Sequence, residues 1–164
     1  MDIRPARIED ARAIHQVMAT IIAEGRYLMS GKPPDLEQYC AHLGATLKLG
    51  SPVWVACSDG RVIGWCDVHP RVNPEQQHVG RLGMGVARAW RRRGCGDALL
   101  QAAIRKAWRV GFQRLELEVF ADNEEAQRLY RRHGFREEGR HIAVRREADG
   151  FRDTLTMALV HLSG

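Results

Sequence analysis

Leu82-Gly83-Met84-Gly85-Val86-Ala87-Arg88-Ala89-Trp90-Arg91-Arg92-Arg93-Gly94-Cys95-Gly96 decides the fold. An apolar, glycine-spaced strand enters a turn that carries four arginines and two glycines. An amphipathic helix from about Asp97 to Trp108 leaves it, with Leu100, Ala103/Ile104 and Ala107/Trp108 on one face. A strand, a basic glycine-rich turn and a helix N-terminus together make an anion site. The first-turn N–H groups lack internal partners, and the helix dipole adds positive charge there. A phosphate-bearing ligand is therefore expected at this turn. Neither G-x-G-x-x-G nor G-x-x-x-x-G-K-[ST] is present, which disfavours dinucleotide and P-loop sites. Gly80, Gly83 and Gly85 in the preceding strand mark either tight packing or a ligand lying against the backbone.

Working outward, Ile3 opens a short strand that Pro5 closes, and Ile8 to Glu24 has helical spacing. Gly25 to Pro34 is a loop, and Asp35 caps a second helix that runs to about Leu47. Val53–Cys57, the Asp59-Gly60 turn and Arg61–Val68 form a hairpin. A polar loop precedes the strand His78–Val86. Downstream, Arg114–Phe120 alternates as a strand, and Asn123–His133 is a helix that Gly134 stops. Phe135–Arg145 and Phe151–Leu162 close the chain as a hairpin around Asp149-Gly150. The order β-α-α-β-β-β-α-β-α-β-β implies an α/β (α+β) fold, a mixed sheet of about seven strands flanked by about four helices.

The 164 residues fit one domain spanning 1–164, and 45% hydrophobic against 27% charged residues is an ordinary globular balance. A net charge of +5 favours acidic ligands, but the basic residues are not interleaved with an aromatic nucleic-acid motif, so nucleic acid is disfavoured as a partner. Cys40, Cys57, Cys66 and Cys95 form neither C-x-x-C nor a zinc spacing, so reduced thiols, a cytoplasmic location and no metal are expected. No signal-peptide core precedes Ile8, and no apolar run approaches the ~20 residues of a membrane span.

Asn123 and Tyr130 lie seven residues apart, about two helical turns, so both can face one groove. Alone, Asn123 is an N-cap and Tyr130 is core. With the basic turn they form a pattern that resembles the GCN5-related N-acetyltransferase family. Arg91-x-x-Gly94-x-Gly96 is similar to its Q/R-x-x-G-x-G/A loop, although Val86-Ala87-Arg88 lacks the proline of its usual V-x-P. Leu115 to Asn123, then Leu129-Tyr130-x-x-x-Gly134-Phe135, resembles its second signature. Gly139 through Asp153 to Met157 resembles a branch that acetylates amino acids, polyamines and other small amines.

The resemblance implies a GNAT-like, mostly antiparallel sheet and acetyl-CoA as donor. Its pyrophosphate would sit on the amides of Arg91, Arg92, Arg93, Gly94, Cys95, Gly96 and Asp97, and its arm along Met84, Gly85 and Val86. Asn123 would contact that arm or its bound water, and Tyr130 would donate a proton to, or hydrogen-bond, the departing thiolate. Glu118 and His78 are the candidate bases for the acceptor amine; Glu116 shares a strand face with Glu118. Cys95 is expected to pack rather than react. The expected acceptor is a small amine, an amino acid or a polyamine; a protein N-terminus, a lysine and a non-catalytic CoA-binding module stay open. The loops Gly25–Pro34 and before Gly150 would line the acceptor groove. A homodimer is a further implication.

Overall fold

The computed structural model describes residues 1–162. Its elements in chain order are β1 (Asp2–Pro5), α1 (Ala11–Ala23), α2 (Leu36–Lys48), β2 (Val53–Ser58), β3 (Arg61–Pro70), β4 (Val79–Val86), α3 (Cys95–Arg109), β5 (Arg114–Phe120), α4 (Glu124–Arg132), β6 (Arg136–Glu147) and β7 (Gly150–Val160). Short 3-10 turns at Ile8–Asp10, Pro74–Gln76 and Arg88–Trp90 occupy stretches read from sequence as helix start, polar loop and basic turn. The element order matches the expected one.

One seven-stranded sheet runs β1-β2-β3-β4-β5-β7-β6. Every neighbouring pair is antiparallel except β4 and β5. The parallel pair follows from the connection: α3 returns the chain across one face, as a crossover must. Asp35 caps α2 by accepting the Glu37 N–H at 2.8 Å, and Asn123 caps α4 by accepting the Ala126 N–H at 3.2 Å.

Alternation along the strands sends side chains to two cores. On one face Ile14, Ile21, Leu43, Val55 and Trp65 pack α1 and α2 against β2 and β3. On the other, Leu99, Leu100, Leu115, Phe135 and Met157 bury α3 and α4 against the sheet. Each fully buried aliphatic or aromatic side chain contributes about 1.5–3 kcal/mol of transfer free energy.

The β4 glycines have packing partners on both faces. A Cβ at Gly80 would lie 2.4 Å from Val68, and one at Gly85 would lie 2.5 Å from the Trp65 ring and 2.8 Å from Ile21. Side chains from β3 and α1 fill the space, so tight packing, and not ligand approach, explains why these two positions are glycine. Gly85→Ala is expected to cost about 1–3 kcal/mol by overpacking, read as a lower urea midpoint at unchanged slope. An unchanged midpoint would mean that Trp65 moves aside freely.

Candidate active site

β4 and β5 pair at only three positions, Val79–Arg81 against Arg114–Glu116. Beyond these the strands diverge, and a cleft of about 930 Å³ opens between them. Its walls can be assigned from hydrogen bonds. Val79 O accepts from Arg71 and Ala87 N–H donates to Ile63 O, so odd-numbered β4 residues bond to β3. The N–H groups of Met84 and Val86 therefore aim at the cleft. Across it, Gln113 O and Ala121 N–H bond to β7, so the N–H and C=O of Glu118 aim back. The cleft has a strand edge on each wall, the arrangement that an extended ligand completes as an added strand.

The basic turn closes one end. Gly94 (φ 78°) caps α3, and Arg92 also has positive φ (59°), so the turn curls its amides inward. The Ala98 N–H bonds to Gly94 O at 3.0 Å. Among the described residues, none of the N–H groups of residues 92–97 bonds to a backbone carbonyl outside the helix or to a side chain. A row of free amides at a helix N-terminus, leading into a slot with backbone donors, fits a phosphate-headed, extended ligand such as acetyl-CoA.

The three adjacent arginines of that turn differ. Arg91 lines the cleft, but its guanidinium is already committed: it makes a two-pronged pair with Glu24 (2.6 and 2.8 Å), donates to Val86 O at 2.9 Å and lies 4.4 Å over the Tyr27 ring. Hydrogen bonding from Arg91 holds the Glu24 carboxyl below its ordinary pKa. Arg93 lies over Trp90 and does not line the cleft. Arg92 also lines it, with a side chain 83% exposed.

Met84, Gly85, Val86, Gly94, Gly96, Asp97, Asn123, Glu118 and Tyr130 all line the cleft. Asp97 is also bound by His133 at 2.9 Å. Asn123 spends its Oδ1 on the helix cap. Tyr130 is 9% exposed, and burial, then the neighbouring Cys66, pushes its phenol well above the ordinary value. Glu118 accepts from the Thr154 hydroxyl and lies 3.5 Å from His141.

One expectation is corrected. His78 is exposed and lies outside the cleft, because it precedes β4 at the end where β4 and β5 are still paired. Cys95 is 1% exposed in the core, and burial pushes its thiol to about 11, so its side chain cannot meet a ligand and only its amide faces the turn. Of the two loops, Tyr27–Met29 lines the cleft, while the turn before Gly150 does not. Sequence missed Gln127, whose buried amide donates to Phe120 O and Ala121 O at 3.0 Å and fixes the end of β5. A buried glutamine on a polar helix leaves no signal in a single sequence.

Residues 19–135 match the acetyltransferase (GNAT) family. The chain belongs to this family. This GNAT protein is 32% identical over 139 residues to the L-amino acid N-acetyltransferase AaaT of Escherichia coli (strain K12), covering 84% of this chain and 83% of that one. A ribosomal-protein-alanine N-acetyltransferase from Brucella melitensis superposes with a TM-score of 0.90 at 27% identity, over 98% of this chain and 99% of the other. The yncA protein of Salmonella typhimurium, solved with its cofactor acetyl-CoA, shares the GNAT fold with a TM-score of 0.92 at 22% identity, over 99% and 95% of the two chains. Among the described residues no helix is long and apolar enough to cross a membrane.

Arg91 and Arg92 should separate in a stability assay. Arg91→Ala loses a partly buried carboxylate pair and a bond to β4, at an expected cost of about 1–3 kcal/mol. Arg92→Ala should stay within about 0.5 kcal/mol of the parent. Equal urea midpoints for the two variants would contradict the structural role of Arg91.

Proposed function

We propose that this acetyltransferase uses acetyl-CoA to acetylate the primary amine of a small, carboxylate-bearing acceptor, an L-amino acid or a close analogue. Arg81 carries this proposal. It lines the cleft, on the sheet face that α1 shares, one same-face step from Gly83. The other cleft arginines beside it are neutralised: Arg71 pairs with Glu116, and Arg114 pairs with Glu116 and Glu138. Among the described residues no acidic side chain pairs with Arg81. An unpaired guanidinium suits a carboxylate, which it can grip through two parallel N–H groups. The name of the Escherichia coli relative supports the same acceptor class.

When bound, acetyl-CoA supplies the thioester that the amine attacks and the thiolate that leaves. The amides of residues 92–97 hold its phosphates. The N–H groups of Met84 and Val86 are aimed where an oxygen gains charge during acyl transfer, and fixed donors there lower the barrier. Glu118, facing the acceptor side, attracts the ammonium form of the amine. Tyr130, kept protonated by burial, gives its proton to the departing sulfur. No covalent enzyme intermediate is needed, consistent with a core position for Cys95.

A screen of L-amino acids, polyamines, aminoglycosides and peptides, following release of CoA thiol, tests the acceptor class. Amino acids are expected to react fastest, and Arg81→Ala to raise their KM by about tenfold or more while leaving simple amines unaffected. A preference for peptides would favour the N-terminal acetylation for which the Brucella relative is named. Thermal protection by acetyl-CoA with no transfer to any amine would favour a binding module. Tyr130→Phe is expected to lower kcat by about 10²-fold or more with acetyl-CoA affinity retained. Unchanged kcat would remove Tyr130 from the reaction.

A further inference from the structure

Gly83 differs from its neighbouring glycines in what fills its missing side chain. A Cβ there would lie 3.0 Å from Asp67 Oδ1, so a carboxylate from β3 leans across β4 at a residue that lines the cleft. Asp67 is only 9% exposed, an acid set inside the apolar run Val62–Val68. An acid in such a place is costly unless paired. Its partner is His69, whose Nε2 lies 3.2 Å from Oδ1.

The hydrogen bonds around His69 fix where a proton sits. Thr46 Oγ1 donates to His42 O at 2.9 Å, so its hydrogen is committed. His69 Nδ1, 3.3 Å from the same oxygen, must then be the donor. That leaves Nε2 and Oδ1 facing each other with room for one shared proton. Burial disfavours charge on His69, yet the hydrogen bond and charge of Asp67 outweigh it and hold the imidazole above its ordinary pKa; Arg81 on β4 opposes this. From α2, the His42 ring lies 4.6 Å away centroid to centroid; the Tyr39 phenol and the buried Cys66 thiol also feel the Asp67 charge.

Register puts this pair in line with the acceptor groups. His69, Arg81 and Glu116 share one cross-strand row. Asp67 and Gly83 form the next same-face row, and Glu118 is the next same-face residue on β5. Along a strand two residues span about 6.6 Å, a distance a long arginine side chain can share with an amino acid.

We propose that Asp67 and His69 together are the proton acceptor for the attacking amine, reached across Gly83. As the C–N bond forms and the C–S bond breaks, the amine's proton settles between His69 Nε2 and Asp67 Oδ1. The sulfur takes its proton from Tyr130, and both groups return to their starting states by exchange with water. This assignment rests on acetyl transfer to an amine, whichever amine that is, and not on the amino-acid class.

The test uses the amine that reacts fastest in the screen. Asp67→Asn is expected to lower kcat/KM by about 10²-fold and to move the acidic limb of its pH profile to lower pH, because His69 loses the carboxylate that raises it. Gly83→Ala, which places a methyl 3.0 Å from Oδ1, is expected to lower kcat by about tenfold or more with thermal protection by acetyl-CoA unchanged. Should Asp67→Asn fail to fold, Gly83→Ala and His69→Gln carry the test by the same readouts. Full activity with an unmoved limb in Asp67→Asn overturns the proposal. So does loss of the limb in Glu118→Gln alone, which would make Glu118 the proton acceptor. Failure of Arg81→Ala to affect KM would bear on the acceptor class only.

Discussion

The pairing of β4 with β5 stops after three residues, and the rest of the site depends on that stop. A fully zipped parallel pair would bury the N–H groups of Met84 and Val86 in the ladder. The divergence leaves two strand edges facing a slot, at a cost in lost hydrogen bonds that a bound ligand can offset. Parallel pairing is what makes this geometry available. Because α3 crosses between the two strands, its N-terminus comes to lie at the open end of the slot. The free amides of the turn and the free edges of the strands thus belong to one continuous surface.

Arg91 holds that open end in place. One guanidinium ties together the last β4 carbonyl, the C-terminal end of α1 through Glu24, and the Tyr27 ring of the following loop. The position of the loop that lines the cleft through Tyr27–Met29 is therefore coupled to the basic turn at its end. Arg145 and Arg152 reinforce the same loop from the closing hairpin, bonding to Leu28 O at 2.7 Å and Arg26 O at 3.0 Å. Several arginines of this protein are committed to carboxylates and backbone carbonyls, which is why a basic composition said little about the acceptor.

The glycines of β4 acquire a different meaning in three dimensions. Gly80 and Gly85 admit Val68 and Trp65, and are matters of packing. Gly83 admits a carboxylate and so brings the chemistry of β3 to the edge of a cleft that β3 does not line. A strand that looked stripped for its ligand is stripped so that its neighbour can reach over it.

The order of elements, the basic turn before α3, the caps at Asp35 and Asn123, and the family were legible in the chain, because periodicity, capping and motif spacing are local properties. His78 could not be placed that way. Whether a side chain meets the cleft depends on where β4 and β5 part and on which face of α3 is buried, and both are set by contacts distant in sequence. The same holds for Asp67, which sequence shows only as an acid within an apolar strand. Local sequence determined which segments form and where a basic, glycine-rich turn meets a helix N-terminus. Only the tertiary structure decided which arginines are already paired, which has no acidic partner, and which acid lies against Gly83, because those outcomes are fixed by register between strands and not by spacing along them.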